Sequence, residues 1–332
     1  MTRARNFRMD YQELKQQDRL DDGETALFLR ELEDIDKTAY MRRFPALIAR
    51  QVIPTFISVG AWAHAYTWRE WTPTGSAKFI QNNSSDLPMV DVTGKENSQI
   101  IKDCGSAYQY TLKEVKAFTQ TGVPLDAMRA QACRTSVEQL IDTTLARGAS
   151  AEGLFGVLNQ DSTALPAANR VKLVVPSTKA AGGLKWGTLL APNATGREMA
   201  NDVIGTAAKV VGDSNGIFSA VNVVMPIDQY NVASETQINA LNQTSALDVM
   251  LKSQLIMSVR SWYQCKGASV DTTSDRIAFF PSDPQVLGGI VPQEWTPQAP
   301  QQRNFAFVIN TLASCGGVVV RYPLGMRYMD GT

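Results

Sequence analysis

Apolar and small residues recur at spacings of three and four from Pro124 to Gly148. Leu125, Met128, Ala132, Ser136, Val137, Leu140, Ile141 and Leu145 form one stripe, and Arg129, Arg134, Glu138 and Arg147 lie off it. The pattern predicts a single amphipathic helix about 35 Å long at 1.5 Å per residue. Pro124 suits its first turn, where a missing N–H costs nothing, and Gly148 suits a left-handed C-terminal cap. Such a helix is long enough to act as a spine for the other elements.

Three capping boxes mark further helix starts: Thr111 with Glu114, Thr195 with Glu198, and Ser245 with Asp248. The first predicts a short helix over 112–118. The second predicts a longer one on which Met199, Val203, Ala207 and Val210 are buried, ending at the Gly212–Gly216 turn. Alternating or continuous apolar runs predict strands at 220–226, 255–263, 275–280, 305–310 and 318–322, the last two separated by Gly316-Gly317. Helices and strands alternate over 196–290, which predicts helices packed on a central sheet. The strands at 305–310 and 318–322 are expected to pair beside the spine.

Two segments lack the means to bury themselves. Residues 1–52 are charged and mixed, with Arg3, Arg5 and Arg8 first, and acidic residues dominant from Asp10 to Asp36. Beyond a short helix near Ala26–Leu32 this stretch reads as an arm. Tyr66–Ile80 alternates, with Tyr66 and Trp68 on one side and Arg69 and Trp71 on the other. Pro73-Thr74-Gly75 reads as its turn and 77–80 as a returning strand. The polar stretch 81–99 is expected to project. A two-stranded arm is marginal alone in water and makes sense against a partner chain, where Trp, Tyr and Arg are favoured contacts. Trp68, Arg69, Trp71, Lys78 and Phe79, with Arg3, Arg5 and Arg8, are the candidate subunit-interface residues.

Charge and chemistry narrow the function. Thirty-two basic and 32 acidic residues give a formal net charge of zero, whereas tight sequence-independent DNA binding needs a basic excess. The four cysteines, Cys104, Cys133, Cys265 and Cys315, are isolated, as expected of reduced thiols. The run 52–65 is too short and interrupted to cross a bilayer. His64 is the only histidine, and no nucleophile elbow accompanies it. No His/Cys spacing suits a metal, and neither a phosphate-binding loop nor a dinucleotide fingerprint occurs. Asp86, Asp91 and Glu96 read as solvated loop carboxylates. The expectation is a structural protein with no cofactor, metal or catalytic residue.

The order of these elements resembles the major capsid proteins of tailed bacteriophages, the Hong Kong 97-type fold that encapsulins share. Gly75–Ile80, Asp86-Leu-Pro88 and Tyr108-Gln-Tyr110 resemble the hairpin-to-spine region of one branch, and 124–148 the long helix. Gly153–Asn159 resembles the loop after the helix, 221–230 a strand-Pro-x-x-aromatic step, and 322–331 a closing strand. The resemblance implies an α+β fold: an N-terminal arm (1–52), an extended hairpin loop and its base (53–110), a peripheral domain (111–195) with spine 124–147, an axial domain (196–300), and peripheral return strands (301–332). It implies self-assembly into hexamers and pentamers of an icosahedral virion shell around double-stranded DNA, in the host cytoplasm, without a membrane. Portal, decoration and scaffolding proteins are the implied partners. The region before Ile53 is too short for the cleavable scaffolding domain of some relatives, and no Asn matches their crosslinking chemistry. Two other readings are an encapsulin-type compartment, and an α/β enzyme using Asp202, Asp228 or Asp248.

Overall fold

A computed structural model describes residues 44–56, 59–79, 87–121, 125–174, 186, 194–218, 220–239, 242–269 and 274–331. The chain divides into two units, Met1–Pro45 and Ala46–Thr332, and the second contains everything that follows. The expected helix near Ala26–Leu32 lies outside the described residues.

In chain order the elements are α1 (Ala49–Val52), β1 (Thr55–Phe56), β2 (Ala65–Thr74), β3 (Asp91–Ile100), β4 (Lys102–Thr111), α2 (Leu112–Thr121) and the spine α3 (Leu125–Arg147). Short strands β5 (Gly148–Ala149), β6 (Leu154–Phe155) and β7 (Lys172–Val174) follow. Next come α4 (Gly196–Asp213), β8 (Val221–Met225), α5 (Ile227–Glu235), β9 (Gln237–Asn239), β10 (Asn242–Ser245), α6 (Ala246–Lys252), β11 (Ile256–Ser261) and β12 (Arg276–Phe280). The chain ends with β13 (Leu287–Ile290), β14 (Gln293–Pro297), β15 (Gln301–Arg303), β16 (Ala306–Cys315), β17 (Gly317–Val320) and β18 (Arg327–Asp330).

A five-stranded sheet in the order β11-β8-β12-β18-β7 separates two apolar cores. Side chains alternate across it. Val221, Val223, Met225, Ile277, Phe279 and Met329 face Met199, Val203, Ala207 and Val210 of α4 and Met250 of α6. Val224, Ala278, Phe280 and Tyr328 face the other way, onto Val137, Ile141 and Leu145 of the spine. Covering both faces is why AVNVVMP is apolar at every position but Asn222 rather than alternating. α4 starts where expected: Thr195 Oγ1 accepts from Glu198 N–H at 3.4 Å, and Glu198 Oε2 accepts from Thr195 N–H at 2.9 Å. All four residues of its expected stripe are fully buried.

The spine's buried face is turned from the one its sequence suggests. Cys133, Val137, Ile141 and Leu145 are buried, while Ala132, Ser136 and Leu140 are exposed. Burial follows an i, i+4 row that includes a cysteine, and in the last turns Asp142, Thr144 and Ala146 beside it are buried too. Gly148 ends the helix at φ 76°, and a Cβ there would lie 2.5 Å from the Leu154 carbonyl oxygen. Arg129 ties spine to α2 by donating to both Glu114 carboxylate oxygens, at 2.8 and 3.1 Å, and to the Gln109 carbonyl at 2.7 Å. Those bonds, with the N–H of Thr111, hold the Glu114 carboxyl down at about 2. Asp142 reaches across to α1, where its Oδ1 accepts from Ala49 N–H at 2.9 Å. Its Oδ2 is buried without a partner, and burial raises its pKa against the pull of that N–H.

Two pairings differ from expectation. The strands near 305–310 and 318–322 do not pair with each other. β16 pairs with β4 across ten positions, from Ala306↔Thr111 to Cys315↔Lys102, and also with β14 and β15; β17 pairs with β13, which also carries β1. The final strand, assigned to the peripheral return strands of 301–332, instead lies between β12 and β7 in the five-stranded sheet. Tyr328 and Met329 pack one into each core, so the chain end is required by both. Likewise β13 and β14, within 196–300, join the sheets of β17 and β16.

An internal ion cluster fixes that chain end. Arg276 is 1% exposed and donates five hydrogen bonds: two to Asp161, two to Asp330 and one to the Leu158 carbonyl, between 2.6 and 2.9 Å. Its guanidinium also lies 4.4 Å over the Tyr328 ring. Burial opposes the charge, but the Asp330 and Asp161 hydrogen bonds outweigh it and the pKa is raised.

Candidate assembly interface

β2 and β3 form a ribbon paired from Ala65↔Ile100 to Thr74↔Asp91. At about 3.3 Å per residue it is about 33 Å long. The turn expected at Pro73–Gly75 is absent: Pro73 and Thr74 continue β2, and the return strand is 91–100 rather than 77–80. Pro73 is tolerated because the two-stranded ribbon leaves an outer edge where no N–H is needed. The polar residues 91–99 therefore are a strand, which no apolar alternation betrays.

The base of the ribbon is anchored to its own subunit. Tyr66 and Trp68 stack at 6.0 Å between centroids and pack with Phe56, Val59 and Ala63 against Ile101, Ile290 and Val319. Arg321 donates to Tyr66 Oη at 2.8 Å and lies 4.8 Å over the Phe56 ring. Beyond this base, residues 71–79, 87 and 89–96 are all exposed. Trp71 is 65% exposed, Met89 95%, and Phe79 fully so. Trp71 lies flat across Gly94, where a Cβ would come within 2.8 Å of its ring.

The structure thus places the candidate residues in different settings. Trp68 is an internal anchor and donates from Nε1 to Glu70 at 2.9 Å. Arg69 pairs with Glu96 across the ribbon at 3.7 Å, with both side chains exposed. Trp71, Lys78 and Phe79 are on the projecting part. Arg3, Arg5 and Arg8 lie outside the described residues. Exposed Leu87, Met89 and Val90 at the same end were not singled out from sequence. Their apolar cluster follows a polar run that hides it.

Among the described residues, no group of three or more His, Cys, Asp or Glu is placed to hold a metal. The four cysteines are unpaired, and burial pushes the Cys315 thiol up to about 11 and Cys265 further still. Asp228 is exposed and bound to Lys266 at 2.6 Å. A cavity of about 300 Å³ beside Asn222 and Met257 and a groove of about 500 Å³ along the spine beside Trp295 are both lined without Asp202, Asp228 or Asp248. No described helix is long and apolar enough to span a membrane.

The major capsid protein family profile matches residues 75–332. The chain belongs to that family. Solved capsids share its fold. The capsid of Myoviridae phage XM1 superposes with a TM-score of 0.75 at 16% identity, over 91% of this chain and 98% of that one. The capsid of a native GTA particle gives 0.63 at 9% identity, over 90% and 95%. Mycobacterium phage Bobi gives 0.59 at 12%, over 94% and 99%. No curated protein matches by sequence. The fold is the α+β Hong Kong 97-type capsid fold, and the chain is a structural subunit of a virion capsid.

Proposed function

We propose that this capsid subunit assembles into hexamers and pentamers of an icosahedral shell that encloses double-stranded DNA, in the host cytoplasm. The ribbon beyond Glu70 carries this reading. It is preformed and presents Trp71, Phe79 and Met89 to solvent. In this account it lies over a neighbouring subunit, and Trp71, Lys78 and Phe79 are its contact residues. Arg69 helps to shape it, and Trp68 holds its root. The residues before Ala46, with Arg3, Arg5 and Arg8, form an arm to another neighbour, while Ala49–Val52, expected in the arm from sequence, is held in its own subunit's core. The layer of α4, α5 and α6 on the five-stranded sheet is the axial part, and the spine with β4 and β16 the peripheral part. Zero net charge suits a wall that surrounds DNA without gripping it. A portal replaces subunits at one vertex, and scaffolding and decoration proteins are further partners.

Electron microscopy of the purified chain tests the reading. Closed particles with pentameric and hexameric units are expected. A chain that stays monomeric at high concentration under all assembly conditions contradicts it.

A further inference from the structure

The two faces of the ribbon are chemically unequal, and the inequality assigns them to different surroundings. Register places Tyr66, Trp68, Glu70, Thr72 and Thr74 on one face, opposite Gln99, Asn97, Lys95, Thr93 and Asp91. The root of this face is buried on its own subunit through Tyr66 and Trp68. Its outer half is wholly polar. The other face carries Trp71, Pro73, Val92 and Ile100, all exposed, with Trp71, Val92 and Ile100 at 65, 52 and 53%. Its charges, Arg69 and Glu96, pair with each other. An aromatic held flat over Gly94 loses little freedom when covered, and an internally neutralised ion pair brings no net charge to a contact.

We infer that the Trp71–Val92–Ile100 face lies against a second copy of this chain, and that the Thr72–Thr93 face remains in water. This rests on the ribbon being an intersubunit contact, as proposed above, and names which side of it makes the contact. A second copy is the occupant for two reasons. The family builds capsids from repeated subunits. A face about 33 Å long and two strands wide covers only a few hundred Å², below the roughly 1,000 Å² of a free-standing interface, so it works as one part of a larger repeated contact. Nucleic acid does not fit a face with no net charge.

Neighbouring residues of β3 provide the test. Val92→Asp and Thr93→Asp add the same charge one residue apart, on opposite faces, at exposed positions. Purified full-length subunits are assembled in vitro and the critical concentration is read by light scattering, with circular dichroism confirming the fold. Val92→Asp is expected to raise the critical concentration tenfold or more, and Thr93→Asp less than twofold. Trp71→Gln, on the same face as Val92, serves if Val92→Asp gives no soluble chain. Equal effects, or the reverse order, overturn the assignment. A shortened chain, with 71–94 replaced by Asn-Gly between the paired Glu70 and Lys95, separates the two ideas. If it assembles at the normal concentration, the ribbon is no interface. If it fails while Val92→Asp assembles normally, only the face is wrong.

Discussion

Replacing Arg276 by Met removes five hydrogen bonds at once and leaves Asp161 and Asp330 only 7 and 13% exposed with no counter-charge. Breaking a buried ion pair from one side costs about 3–5 kcal/mol, chiefly through the charge left behind. The Met side chain recovers part of the packing over Tyr328 but none of the hydrogen bonds. Urea denaturation of the unassembled subunit, followed by tryptophan fluorescence, measures the loss. The cause is separable from packing. In the triple variant Arg276→Met, Asp161→Asn, Asp330→Asn no charge is stranded, so most of the lost stability should return. A single variant within about 1 kcal/mol of wild type, or a triple variant as unstable as the single one, refutes the view that this cluster locks the last strand to the 158–161 loop.

Asp142→Asn keeps the acceptor for Ala49 N–H and removes a carboxylate whose pKa is raised by burial, so folding of the wild type favours the protonated form. The variant should gain stability relative to wild type as pH rises from 4 to 7, and a difference that stays flat with pH contradicts the assignment. Gly148→Ala forces a Cβ onto a left-handed residue and against the Leu154 carbonyl, so it should cost more than about 1–2 kcal/mol in chemical denaturation. Thr195→Ala removes the side-chain cap of α4 and should cost about 1 kcal/mol in the same assay.

What could be read from sequence follows from how locally each feature is determined. The spine, its terminal Gly148, and the capping boxes at Thr111 and Thr195 are decided within a few residues, and all are present in the structure. Burial direction on the spine depends on distant neighbours, which is why Leu140 faces water while Cys133 does not. The ribbon's second strand is held chiefly by backbone pairing with β2, and its exposed outer residues carry no apolar alternation. The Arg276 cluster joins residues at 161, 276 and 330, separations that no local pattern reveals. Of the interface candidates, Trp71 and Phe79 stand out because large aromatics in a polar stretch need a cover. Trp68, equally aromatic, finds its cover in its own subunit.

In the proposed assembly the chain completes its apolar burial with copies of itself. Hydroxyl-radical footprinting of Trp71, Phe79 and Met89, in free subunits and in assembled particles, reads that burial directly. Oxidation at these three positions should be fast in the free subunit and strongly suppressed in the shell, with Trp68 protected in both. Equal oxidation of Trp71, Phe79 and Met89 in the two states would show that the ribbon stays uncovered and that the shell closes by other contacts.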